Sequence, residues 1–279
     1  MILAIASGKG GTGKTTVSVN MARMFGADIQ LLDCDVEEPN DHLFLKAAAI
    51  SEEIVHVPVP QVNNTLCDGC GECGRFCRFH AIVPSAGGTL VFSDMCHGCG
   101  GCMKVCPRKA IHEVDQRIGA VETGRLDDIT LIKGRLDIGR AMAPPLIRAV
   151  KDRLRKDIPA ILDAPPGTSC PMITTLQGAD YTLLVTEPTP FGLHDLKLAV
   201  DTVRTLRIPF GVVINRSGIG DDRVRAYCRE EKIPVLLEIP DDRRIAENCS
   251  EGKLVVDALP EYRPFFQKLI RLVRDGTAC

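Results

Sequence analysis

Gly8-Lys9-Gly10-Gly11-Thr12-Gly13-Lys14-Thr15 decides how this sequence is read. The octet fits G-x-x-x-x-G-K-[ST]. The apolar run Ile2–Ala6 precedes it, and a helical pattern from Lys14 to about Phe25 follows. Strand, glycine-rich loop and helix form the context in which this spacing cradles phosphate. Glycines in Ser7–Gly13 let backbone N–H groups converge on phosphate oxygens, and the helix N-terminus adds its positive end. On that chemistry Lys14 reaches the β- and γ-phosphates and Thr15 holds Mg²⁺. Gly8, Gly10, Gly11, Thr12, Gly13 and Thr16 complete the candidate nucleotide-binding loop.

Outward from the loop, Ile29–Asp33 reads as a second buried strand, which gives an α/β opening. The texture changes after residue 58, where Pro58 and Pro60 frame a break. From about Gln61 to Val114 the chain is rich in Cys and Gly and poor in periodic segments, as in a small domain held by metal. Strand candidates resume at Ile118–Glu122, Ile129–Ile132, Ala160–Asp163, Tyr181–Thr186, Phe210–Asn215 and Val235–Ile239. Helical patterns at Pro145–Arg155, Leu193–Leu206 and Asp221–Glu231 alternate with them. This alternation predicts a doubly wound, mostly parallel sheet. The expected organisation is a first nucleotide-binding part (1–60), an inserted domain (61–115) and a second nucleotide-binding part (116–279).

Composition bounds the function. The chain has 279 residues, 45% apolar and 25% charged, which suits a folded protein with a sizeable core. Its 34 basic and 36 acidic residues leave a formal charge of −2, so no global basic excess points to nucleic acid. No apolar stretch reaches spanning length, and Met1 leads into the first strand without a basic n-region. The expectation is a cytoplasmic protein with no transmembrane segment. Thirteen cysteines, eight of them between Cys67 and Cys106, favour metal over disulfides in that setting.

Lys9 is a second cation inside the loop. With Gly10 to Thr16 it resembles the deviant Walker A motif of the MinD/ParA/Mrp and nitrogenase-iron-protein superfamily. The resemblance implies a homodimer with ATP sandwiched at its interface and Lys9 reaching the partner's nucleotide. Asp33-Cys34-Asp35 is similar to that superfamily's first switch, which implies that Asp35 orients the attacking water, with Asp33 the weaker candidate. Asp163-Ala164-Pro165-Pro166-Gly167 resembles its D-x-P-P-G motif. Asp163 would then hold Mg²⁺ through water, and Gly167 would sense the γ-phosphate. Asn215 stands where relatives contact adenine. The stretch Asn215-Arg216-Ser217-Gly218 lacks the carboxylate a guanine site needs, so ATP is favoured over GTP. The segment Tyr262–Arg274 is amphipathic and basic. It invites comparison with the MinD membrane helix, but reads first as a core-packing helix.

Cys67, Cys70, Cys73 and Cys77 recur at a constant offset of 29 residues as Cys96, Cys99, Cys102 and Cys106. The same offset carries Ala81-Ile82 onto Ala110-Ile111, so the segment is an internal duplication. It resembles bacterial two-cluster ferredoxins over residues 61–115. Three close thiolates grip one cluster, and the fourth cysteine of each run crosses to the other. The resemblance thus implies one [4Fe–4S] on Cys67, Cys70, Cys73 and Cys106, and another on Cys96, Cys99, Cys102 and Cys77. Gly69, Gly71, Gly98 and Gly100 permit tight wrapping, and Ala81 and Ala110 are small enough to pack beside a cluster. Arg78 replaces the proline expected after Cys77 and offers a cation that raises that site's potential. Zinc is the rival occupant of these thiolates. Cys34, Cys170, Cys228, Cys249 and Cys279 form no C-x-x-C pair of the kind Mrp-type carriers bear. Cys170 follows Asp163 by seven residues, and a small buried thiol is its default reading.

The expected function is a slow, dimer-dependent, Mg·ATP-hydrolysing ATPase coupled to iron–sulfur electron transfer or to a redox partner. An iron–sulfur assembly or delivery factor, and a positioning ATPase of the MinD or ParA kind, are the alternatives.

Overall fold

Eleven strands organise residues 1–85 and 88–276, which the computed structural model describes. They are β1 (Ile2–Ala6), β2 (Ile29–Asp33), β3 (Ala48–Val62), β4 (Ile82–Ser85), β5 (Gly88–Val91), β6 (Ile111–Leu126), β7 (Ile129–Leu136), β8 (Ala160–Asp163), β9 (Tyr181–Thr186), β10 (Phe210–Ser217) and β11 (Val235–Pro240). Cys279 lies outside the described residues.

Nine strands form one sheet in the order β11-β10-β9-β1-β8-β2-β7-β6-β3. β1 runs parallel to both β8 and β9, β2 to β7 and β8, and β10 to β9 and β11. The sheet is therefore mostly parallel, as the strand–helix alternation predicted. β6 and β7 are joined only by Asp127-Asp128, with Asp127 at φ +49°, and a two-residue loop requires antiparallel neighbours.

The central strands are buried along their whole length because helices cover both faces of a parallel sheet. Leu3, Ile5, Leu31, Ile161, Leu183 and Val213 share one core with Val17 and Met21 of the helix Lys14–Met24. The helix Arg263–Gly276 adds Phe266, Leu269, Ile270 and Val273, spaced so as to share one face. At roughly 1.5–3 kcal/mol per buried side chain, that stripe explains why the terminal helix packs inward. Its basic residues Arg263, Lys268, Arg271 and Arg274 are exposed. No helix among the described residues is long and apolar enough to cross a membrane.

The expected break at Pro58 and Pro60 is corrected: β3 runs through both prolines. β3 closes one end of the sheet order, and an edge strand tolerates residues without an N–H. The predicted strand at Ile118–Glu122 is the middle of a longer one, Ile111–Leu126, and the helix expected at Pro145–Arg155 runs Ala143–Lys151.

The chain divides into two compact units: residues 1–52, 121–135 and 147–279, and residues 53–120 with 136–146. The second unit contains the antiparallel pair β4–β5 and two short helices, Glu72–Phe76 and Gly101–Val105. Cys73, Ile82 and Ile111 form its small core. The 29-residue duplication is visible in its backbone. Positive φ angles occur in the matched pairs Gly69/Gly98, Gly71/Gly100 and His80/Lys109.

Candidate functional site

In the first unit, a cavity opens beyond the carboxyl ends of β1, β2, β8, β10 and β11. Gly10, Gly11, Gly13, Lys14, Thr15 and Thr16 form one wall. Asp35, Asn40 and Pro166 form another, and Asn215-Arg216 and Pro240 to Cys249 close it. Ligands of open α/β sheets sit in such a crevice. The loop needs its glycines for two different reasons. A Cβ at Gly8 would collide with the backbone carbonyl of Asp195. Gly13 holds φ +92° as it hands the chain to the helix Lys14–Met24. Asn215 braces the loop, because its Nδ2 donates to the Thr12 carbonyl at 2.9 Å.

Thr15 Oγ1 donates to Asp163 Oδ2 at 2.8 Å. Asp163 is buried at the end of β8, and its Oδ1 has no hydrogen-bond partner. A buried carboxylate with one oxygen unsatisfied is costly, and a hydroxyl beside it completes an oxygen donor set that suits Mg²⁺. Burial raises the Asp163 carboxyl above its ordinary value, while Lys14 and the Thr15 hydroxyl oppose the rise. Burial also pushes Asp35 up to about 6, again opposed by Lys14. Asp33 is spent on the backbone: it accepts from the N–H groups of Asp35, Asn40 and Asp41 at 3.1, 2.8 and 3.1 Å. Gly167 donates its N–H to the Ser7 carbonyl at 3.1 Å. Lys9 is paired with Glu187, which follows β9.

In the second unit the eight cysteines fall into two sets. Cys67, Cys70, Cys73 and Cys106 line one cavity with Thr89, Asp68 and Arg108. Cys77, Cys96, Cys99 and Cys102 line another with Phe79, His97 and Glu113. Backbone N–H groups point at sulfur in both: Ala110 donates to Cys106 Sγ at 3.3 Å, and Gly98 to Cys96 Sγ at 3.4 Å. Burial raises the thiols of Cys73 and Cys96, and pushes Cys102 up to about 11. Four cysteines per cavity with N–H donors to sulfur form a donor set that fits an iron–sulfur cluster. No group of three or more His, Cys, Asp or Glu among the described residues converges on a single metal ion.

Residues 3–255 match the CobQ/CobB/MinD/ParA nucleotide binding domain family. The chain belongs to this family. It is 32% identical over 264 residues to an uncharacterized protein of Methanocaldococcus jannaschii, covering 91% of this chain and 90% of that one. It is 25% identical over 280 residues to an iron-sulfur cluster carrier protein of Aquifex aeolicus, covering 93% of this chain and 63% of that protein. The chain thus spans less than two thirds of that carrier's length. The cell division ATPase MinD of Pyrococcus furiosus shares the fold, with TM-score 0.59, 22% identity and 98% coverage of each chain.

For a member of the CobQ/CobB/MinD/ParA family, several neighbours of the site carry no sequence motif. Glu187 is recognisable only once β9 is seen to deliver it beside Lys9. Asp41 is wholly buried, and neither of its carboxylate oxygens has a hydrogen-bond partner. Cys249 lines the cavity beside the glycine-rich loop, with its Sγ 3.6 Å from Thr16 Oγ1. Cys170 corrects its default reading. It is exposed, because the helix Cys170–Leu176 buries Met172, Thr175 and Leu176 instead.

Proposed function

We propose that the protein is a Mg·ATP-hydrolysing, dimer-forming ATPase whose nucleotide cycle is coupled to iron–sulfur electron transfer or to a redox partner. Gly8 to Thr16 bind the phosphates, Thr15 and Asp163 hold Mg²⁺, and Asp35 orients the attacking water. Lys9 reaches the nucleotide of a second copy. Residues 61–115 act as a ferredoxin-like insert between nucleotide-binding parts 1–60 and 116–279. Its two [4Fe–4S] clusters would supply one-electron redox chemistry when bound. Cys67, Cys70, Cys73 and Cys106 would hold one, and Cys77, Cys96, Cys99 and Cys102 the other.

The observation that carries this reading is the segregation of eight cysteines into two four-cysteine cavities in a chain of this nucleotide-binding family. A second reading, cluster delivery, is supported by the likeness to the Aquifex carrier. The lack of a C-x-x-C among the other five cysteines argues against delivery through such a motif. Anoxic reconstitution separates the two readings. Electron transfer requires clusters that are reduced and reoxidised reversibly, stay on the protein beside an apo-acceptor, and respond to Mg·ATP. Transfer of iron and sulfide to the acceptor would establish delivery instead.

A further inference from the structure

We infer that the two four-cysteine sites are unequal, so that an added electron rests at the Cys67/Cys70/Cys73/Cys106 site rather than at the Cys77/Cys96/Cys99/Cys102 site. The Thr89 hydroxyl lies within hydrogen-bond reach of a sulfur of the first, which as a cluster-bound thiolate can only accept, and Glu113 sets a carboxylate without an ion-pair partner among the described residues against the second. The inference rests on the two-cluster reading.

The duplication makes the comparison position by position. Asp68 and Arg108 form an ion pair at 2.8 Å beside the first cavity. Their counterparts at the offset of 29 are His97 and Phe79. These form no ion pair but stack with ring centroids 3.5 Å apart and planes 14° off parallel. Glu72, also in the first cavity's wall, is paired with Arg75 at 2.5 Å. The carboxylates of the first site are thus matched by guanidinium groups.

The counterpart of Pro84 is Glu113. Pro84 lies beside Gly71, and Glu113 lies beside Gly100, the matched glycine. Glu113 lines the second cavity and forms no ion pair among the described residues. Arg78, the cation next to Cys77, is exposed and is not in the cavity wall, so water screens it more than it screens Glu113. Thr89 Oγ1, by contrast, lies 3.5 Å from Cys67 Sγ in a buried side chain of the first site. Residue 118, its counterpart in the second repeat, is Ile, which has no hydroxyl to give. Reduction adds negative charge. A donor to sulfur favours the reduced form, and an unpaired anion opposes it.

The test is a potentiometric titration of the reconstituted full-length protein followed by electron paramagnetic resonance. Glu113→Gln should raise the lower midpoint and leave the upper in place. Thr89→Val should lower the upper midpoint and leave the lower in place, and Thr89→Ser should behave as the parent. In Cys77→Ser protein the surviving signal should be the upper one. Iron short of one cluster per site in the parent overturns the two-cluster reading and this inference with it. Full loading with Glu113→Gln moving the upper midpoint, or neither, overturns the inference alone.

Discussion

Lys9 Nζ lies 3.2 Å from Glu187 Oε2, and Arg216 Nη1 holds the other oxygen of the same carboxylate at 2.8 Å. Glu187 is 8% exposed and Lys9 31%, so the lysine is held on a buried anion in its own chain. Lys9 does not line the cavity walled by Gly10 to Thr16 of its own chain. A lysine destined for a partner's nucleotide must give up Glu187, and a partly exposed pair of this kind is worth about 1 kcal/mol. Glu187→Gln removes that cost once per copy. It should therefore tighten the ATP-dependent dimer by roughly 30-fold. Lys9→Ala should abolish the dimer. Size-exclusion chromatography with a non-hydrolysable ATP analogue reads both, and an unchanged dimer in Lys9→Ala removes the basis of the sandwich.

Asp35, on the proposed reading, should give turnover an acid limb. Burial holds its carboxyl at about 6, above the ordinary range. A raised carboxyl is protonated below that value, so turnover should fall as pH drops through about 6 and stay level between about 7 and 8. Asp35→Asn should keep the ATP-dependent dimer and lower kcat by about 100-fold or more, with no acid limb left. The same shift means that ionised Asp35 opposes folding near neutrality, so Asp35→Asn should also melt slightly higher at pH 7. A full acid limb in the Asn variant would assign the titration to another group.

Cys77 tests the cross-over. The anoxic parent should bind about eight irons, as expected of two [4Fe–4S] clusters. Cys77→Ser should remove or perturb the site of Cys96, Cys99 and Cys102 and leave the other intact, with about four irons retained at the limit. Loss confined to the site of Cys67, Cys70 and Cys73 would show that each run serves its own cluster.

What was legible in the sequence was what is local. The loop Gly8 to Thr15, the strands that end at Asp33 and Asp163, and the 29-residue repeat each lie within a short window. Their chemistry depends on spacing alone. β3 was not legible because Pro58 and Pro60 are read as breaks unless the strand is known to lie at an edge. Glu187 and Asp41 were missed for another reason. Nothing in their neighbours along the chain marks them, and their roles arise only when β9 and the segment after β2 are folded against Lys9 and Asp163. The repeat that pairs Thr89 with Ile118 and Glu113 with Pro84 is itself legible, but that Thr89 and Glu113 stand in the walls of the two cysteine cavities is seen only in three dimensions.

Cys170 should report on the turn that links Asp163 to the helix Cys170–Leu176. Its exposure means that a thiol reagent should reach it in the free protein. The turn is tied to the loop, since Gly167 donates to Ser7 at 3.1 Å. If Gly167 is to meet a γ-phosphate, that hydrogen bond must be exchanged, and the residues that follow must shift with it. Dimer closure around ATP would then cover or move Cys170, and alkylation should slow with the non-hydrolysable analogue but not with ADP. Cys34 and Cys228 are buried and should not compete for the reagent. Cys249 lies in the nucleotide cavity, so its labelling must be followed separately by peptide mapping. Protection of Cys249 by ADP and analogue alike, with protection of Cys170 by the analogue only, would separate occupancy from closure. Equal rates at Cys170 with ADP, analogue and no nucleotide would show that the turn neither moves with the γ-phosphate nor lies at the interface.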